Sequence, residues 1–216
     1  MSASQVLLPL ITYPYITRVL GPESLGTVNY ADFVSQVFII LSAFGIPLYA
    51  IREIAMTRND SKKRAMLVKE LTLIYAILSL ISAIVFLLIM YNKVQQNKML
   101  YLLAAANILI SSVSFDWYIQ GMEYFKFAAI RTLFIKIVLL VSIYLFVKNS
   151  TDYALFFGIF TAGMLAAALL NMIKVFGENK MTIDKPSLKK HFVPLFHLFL
   201  TSSAIGAYEY FDTIIL

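Results

Sequence analysis

The sequence predicts an all-α integral membrane protein, a polytopic helical bundle, on three observations. Hydrophobic residues make up 60% of the 216 and charged residues only 14%, against about 25% charge in a soluble domain. A chain of this length has too little interior to hide so much apolar surface from water. The apolar residues are gathered in windows of about 20, the length that crosses a bilayer as a helix, not in the alternating ten-residue pattern of a membrane barrel. The stretches between windows are short. With no water in the hydrocarbon core, helices that satisfy their own backbone are the natural solution.

Val6–Leu20 is the first window, apolar except for Arg18. It has no basic leader and no small-residue cleavage site, so it reads as a spanning helix rather than a signal peptide. Phe33–Ile51, Leu71–Tyr91, Met99–Phe115, Phe127–Val147, Tyr153–Ile173 and Phe192–Tyr208 follow, for seven helices. The chain starts almost inside the first and reaches Leu216 with the seventh still running, which predicts that it is part of a longer bundle.

Lysine and arginine alternate between the connections. Arg52, Arg58, Lys62, Lys63, Arg64 and Lys69, then Lys126, Arg131 and Lys136, then Lys174, Lys180, Lys185, Lys189 and Lys190 form one set; Arg18, Lys93, Lys98 and Lys148 form the other. The positive-inside rule makes the first set, with the N-terminus, cytoplasmic. The net charge of +6 is then topogenic charge beside anionic headgroups, not a nucleic-acid footprint.

Pro9 and Pro14 in the first helix, and Gly45 and Pro47 in the second, are candidate hinges, since a mid-helix proline removes a backbone bond and clashes with the preceding turn. Ionisable residues at membrane depth are costly and therefore informative. With GPESLGT read as a short outer turn, Arg18 and Asp32 lie at similar depth, either as an ion pair or with Arg18 facing a substrate path. Asp116 ends the fourth helix, and Arg131 and Lys136 enter the fifth. Five residues apart, these two cations point about 140° away from each other, so one pairs with Asp116 and the other snorkels to the headgroups. Glu209 and Asp212 share a face of the seventh helix. Tyr13 and Tyr15, inside the first helix, are candidates for stacking on sugar rings. With no cysteine and only two histidines, no metal cluster or cofactor is expected, and no nucleotide-binding or hydrolase motif points to an enzyme.

Three stretches resemble the polysaccharide repeat-unit (oligosaccharide) flippases, the Wzx-type members of the polysaccharide transport family in the MOP exporter superfamily: PLITYPYITRVLGPESLGTVNYADF at 9–33, FGIPLYAIREIAMTRND at 44–60 and DWYIQGMEYFKFAAIR at 116–131. The resemblance implies a MOP/MATE-like N-lobe of six transmembrane helices over residues 1–175, a cytoplasmic inter-lobe linker over 176–191, and over 192–216 the start of a seventh helix in a truncated C-lobe. It implies a bacterial inner-membrane protein that moves undecaprenyl-diphosphate-linked oligosaccharide outward by alternating access, for O-antigen, capsule or exopolysaccharide synthesis, with a polysaccharide polymerase and glycosyltransferases as partners. Arg18, Arg52, Arg131 and Lys136 are then candidate diphosphate contacts, and an Arg18 contact to Glu209 or Asp212 a candidate outer gate. A multidrug or toxin antiporter of the same superfamily is the alternative, weakened by the lack of an acid in the first helix. A truncated, non-transporting membrane fragment is the other.

Overall fold

A computed structural model describes residues 3–179 and 186–200, with side chains from Thr12 onward. The elements are α1 (Ala3–Ala43), α2 (Ile46–Met56), α3 (Ser61–Ile89), α4 (Tyr91–Gln96), α5 (Lys98–Ser112), α6 (Asp116–Gly121), α7 (Phe125–Phe146), a 3-10 turn (Ser150–Asp152) and α8 (Tyr153–Glu178). A further helix, α9, covers 189–200. Among the described residues there is no strand. Five helical stretches are long and apolar enough to cross a membrane: Thr12–Ala43, Ser61–Ile89, Lys98–Gly121, Phe125–Phe146 and Ser150–Glu178. The protein is an all-α polytopic membrane protein.

The first of these stretches is bent. Gly21 leaves helical geometry at φ 74°, ψ 169°, a conformation open to glycine because it has no Cβ. Pro22 follows at the first position of the second arm, where its missing N–H costs nothing, and Glu23 adds negative charge to the positive end of that helix. The outer turn expected at GPESLGT is therefore Gly21 alone, and the helix expected from Phe33 starts some ten residues earlier. Residues of both arms face one cavity, so the arms lie side by side.

The second break was expected at Gly45 and Pro47. It falls at Gly45 together with Phe44, both left-handed (φ 76° and 46°), whereas Pro47 sits in the first turn of α2, where it removes no bond. α3 is capped by the Asp60 carboxylate, which accepts the Lys63 N–H at 3.0 Å. Asp116 does not end the fourth helix: α5 ends at Ser112, and Asp116 opens α6 after a left-handed Phe115 (φ 51°).

The buried apolar side chains form two clusters. One gathers Leu20, Leu25, Phe86, Leu100, Tyr101, Ile108 and Phe157 toward the Gly21 end. The other gathers Ile46, Tyr49, Leu71, Phe115, Trp117, Tyr118 and Leu195 toward the opposite, basic end. Outward-facing Leu80, Ile84 and Leu88 on α3, and Leu133, Ile137, Val141 and Leu145 on α7, are exposed, as a lipid-facing surface requires.

Candidate functional site

Thr12, Tyr13 and Ile16 from the first arm of α1, Leu25 and Asn29 from the second, Lys136 and Ile143 from α7, and Phe156 and Phe160 from α8 line a cavity of about 370 Å³. Lys136 was expected to enter the fifth helix near the headgroups. The structure corrects this: α7 runs over Phe125–Phe146, close to the window expected, and Lys136 stands halfway along it. At 1.5 Å per residue it lies about 16 Å from either end. Tyr13 is on the cavity wall and 56% exposed. Tyr15 faces elsewhere: its hydroxyl donates to the Val147 carbonyl at 2.8 Å and its ring stacks on Tyr144 with centroids 4.2 Å apart. Packing uses it fully.

Arg131 meets the expectation of an Asp116 partner. One guanidinium nitrogen lies 3.1 Å from Asp116 Oδ1, and another donates to Asn171 Oδ1. Asn171 Nδ2 donates in turn to Asp116 Oδ1 at 3.0 Å and to the Ser114 carbonyl at 2.6 Å. The group ties α6, α7 and α8 together, and the Arg131 side chain is only 10% exposed.

Arg18 and Asp32 do not share a depth. Arg18 is three residues before Gly21 and Asp32 eleven beyond it, about 4 Å and 16 Å from the bend along their arms. The early start of the second arm is the cause. The Asp32 carboxylate is hydrogen-bonded by Gln36, and Arg18, exposed, makes no ion pair among the described residues. Glu209 and Asp212 lie outside the described residues, as does most of the seventh helix. Arg52 is exposed on α2, while Pro14 sits within continuous helix; the side chain of Pro9 lies outside the described ones.

Sequence reading missed the richest polar groups. Glu70, fully buried on α3, accepts the Ser187 N–H at 2.7 Å, pairs with Lys190 at 2.8 Å and accepts His191 Nε2 at 2.9 Å. With that proton on Nε2, the other ring nitrogen accepts the Tyr49 hydroxyl at 3.0 Å. The start of α9 is thereby fixed to α2 and α3. Its backbone also enters the break at Gly45, where a Cβ would meet Phe199 N at 2.7 Å, and Phe44 stacks on Phe199 at 4.7 Å.

The other basic-end joints are also ionic. Arg58 pairs with Glu123 at 3.0 Å and donates to the Gly121 carbonyl at 3.0 Å. The Glu123 carboxyl is held below the usual carboxylate range by that Arg58 hydrogen bond. Glu178 accepts the hydroxyls of Tyr118 and Tyr124 at 2.9 and 3.0 Å and pairs with Lys174 at 2.7 Å. Arg64 Nε donates to Asn179 Oδ1 at 3.0 Å. At the Gly21 end the described interhelix bonds are neutral: Tyr15 to Val147, Ser24 Oγ to the Ser150 carbonyl at 2.9 Å, and the Tyr153 hydroxyl to Asn97 Oδ1 at 2.7 Å.

No solved structure matches the chain. Over 224 residues it is 27% identical to an Escherichia coli (strain K12) protein named for O-antigen transport, an alignment that covers 100% of this chain and 53% of that protein. Over 213 residues it is 23% identical to a Shigella dysenteriae protein of the same name, with 97% and 54% covered. The chain spans about half the length of the curated relatives it matches. The model of the polysaccharide biosynthesis protein family matches residues 1–216, so the chain belongs to that family.

Proposed function

We propose that the chain forms the N-terminal lobe of a flippase that carries lipid-linked oligosaccharide across the bacterial inner membrane. The family match over residues 1–216 carries this reading, and the relatives named for O-antigen transport support it. In this reading the two arms of α1 are separate spans, so residues 1–175 hold six, 176–191 link the lobes, and 192–216 open the second lobe. The basic end and the N-terminus are cytoplasmic. The protein works by alternating access, as a transporter without enzymatic chemistry, beside polysaccharide polymerase and glycosyltransferases.

A lipid-linked diphosphate needs cations along its route. Arg18 near the outer end, exposed Arg52 near the inner end and Lys136 between them supply cations at three depths. Arg131, committed to Asp116 and Asn171, acts as a clamp rather than a contact. The test is deletion of the encoding gene in its native host. Surface polysaccharide should fall and lipid-linked repeat units accumulate, and the intact gene should restore export. Unchanged surface polysaccharide in the deletion strain refutes the proposal.

A further inference from the structure

By sequence α9 opens the second lobe, yet it is attached to the first at three levels. At its start, the Glu70 carboxylate on α3 takes the Ser187 N–H on one oxygen and Lys190 and His191 on the other, and Tyr49 of α2 donates to His191. One turn on, Leu195 is 1% exposed, buried in the cluster of Ile46, Leu71 and Trp117. At Phe199 the α9 backbone enters the break at Gly45, and the Phe44 ring lies against those of Phe192, Phe196 and Phe199, with centroids 6.0, 6.4 and 4.7 Å away. These three phenylalanines are spaced i, i+4 and i+7, one face of a helix. From His191 to Phe199 the attachment covers about 12 Å of helix.

Parting these surfaces is expensive. Glu70 is fully buried, and departure of α9 would remove Lys190, His191 and the Ser187 N–H together, leaving a buried carboxylate uncompensated. The near end of the linker is tied to the same helix, since Arg64 donates to Asn179 at 3.0 Å. Arg64 and Glu70 stand six residues, about 9 Å, apart on α3. A connection held at both ends by one helix has no freedom to pass motion on. We infer that residues 187–199 travel with the first lobe as one body throughout the transport cycle. The mechanical boundary between the lobes then comes after Phe199, not in the linker at 176–191. The inference rests on the flippase reading, which supplies the second lobe and the cycle. It makes the linker a passive join, and the second lobe moves from a helix that the first lobe holds.

The chain has no cysteine, so α9 can be tied down by a chosen pair. Phe44→Cys with Phe199→Cys replaces two stacked rings, and Ile74→Cys with Phe192→Cys replaces two side chains that line one groove. A membrane-permeant bis-methanethiosulfonate reagent should bridge α9 to the end of α1 in the first pair and to α3 in the second. A protease site inserted in the linker scores the bridge, because linked chains stay in one piece after cutting and unlinked ones separate. Export is measured in the gene-deletion host as newly labelled surface polysaccharide, before and after linking. It should show no loss as the linked fraction rises, and reduction of the bridge should change nothing. Export that falls in step with linking and returns on reduction shows that α9 has to leave the first lobe, and overturns the inference. Either pair decides the matter should the other disturb folding. Failure of the cysteine-free parent to restore export refutes the flippase and the cycle with it, whereas export by the parent that linking arrests sinks the shared body alone.

Discussion

Arg131 gives one guanidinium nitrogen to Asp116 and another to Asn171, so its removal leaves Asn171 Oδ1 without that donor and Asp116 without its cation, with the Asn171 Nδ2 hydrogen bond remaining. Asp116 is half exposed, which softens the loss. Arg131→Ala should cost about 1–3 kcal/mol, read as a lower melting midpoint of the purified protein and less protein in the membrane. Arg131→Lys should recover only part, because an ammonium cannot reproduce the planar fork. Arg18→Ala should leave stability within about 0.5 kcal/mol, since no described ion pair depends on it. A fall in melting midpoint as large as that of Arg131→Ala would place Arg18 in a hidden pair. The spacing of Arg131 and Lys136 was enough to foresee that just one would reach Asp116. Nothing local marks Glu70, which reads as one more charge at the start of a helix until α9, over a hundred residues later, closes on it. At Glu123 the depressed carboxyl carries a sign. Its pairing with Arg58 is present above the unfolded carboxylate pKa, about 4.3, and is lost as pH falls through the lower folded value. Arg58→Gln should flatten that acid limb of the melting curve, and an unaltered limb would remove the pair from the pH response.

At the level of elements, α9 is seated twice, by the buried Glu70 group and by the break at Gly45. Gly45→Val adds a side chain where a Cβ already comes within 2.7 Å of the Phe199 backbone and demands φ 76° of a β-branched residue. It should lift α9 off the lobe and speed proteolytic cleavage in the preceding linker at least several-fold. Glu70→Ala should do the same by leaving Lys190 and His191 without their anion. Equal cleavage rates in the wild type and both variants would show that α9 is held elsewhere. The apolar windows were legible because the bilayer imposes them. Their boundaries were less so, since hydropathy is blind to a single left-handed residue. Gly21 and the Phe44–Gly45 pair redrew the first two helices, and Phe115 moved Asp116 from the end of one helix to the start of the next.

For the molecule as a whole, alternation of the helices places 57–60 and 122–124 at one end and Gly21, 90–97 and 147–149 at the other. The Arg58–Glu123 and Ser24–Ser150 contacts agree with this. The positive-inside rule then predicts which end is which. The chain has no cysteine, so single cysteines at Lys62 and Lys126, and at Ser24, Gln95 and Ser150, can be probed with an impermeant maleimide on intact cells. The last three should label from outside and the first two only after permeabilisation; the converse pattern inverts the orientation. The membrane class and the candidate cations were readable from composition and position. The cavity was not, because it is made where two arms of one bent helix meet α7 and α8.

The contrast between neutral joints at the Gly21 end and ionic joints at the basic end concerns how the bundle tolerates its surroundings. Hydroxyl-to-carbonyl bonds have nothing to titrate below the tyrosine range, about pH 10, and do not depend on ion-pair attraction that salt screens. In the proposed orientation these joints meet the exterior, where acidity and salinity follow the habitat. The joints that carboxylates and lysines make face the cytoplasm, which the cell buffers. A shift to acidic or brackish surroundings should therefore leave these interhelix bonds unchanged and reach, at that end, the Asp152 carboxylate that accepts the Lys148 and Asn149 N–H groups within one turn, whereas collapse of the internal pH should loosen the joints between helices.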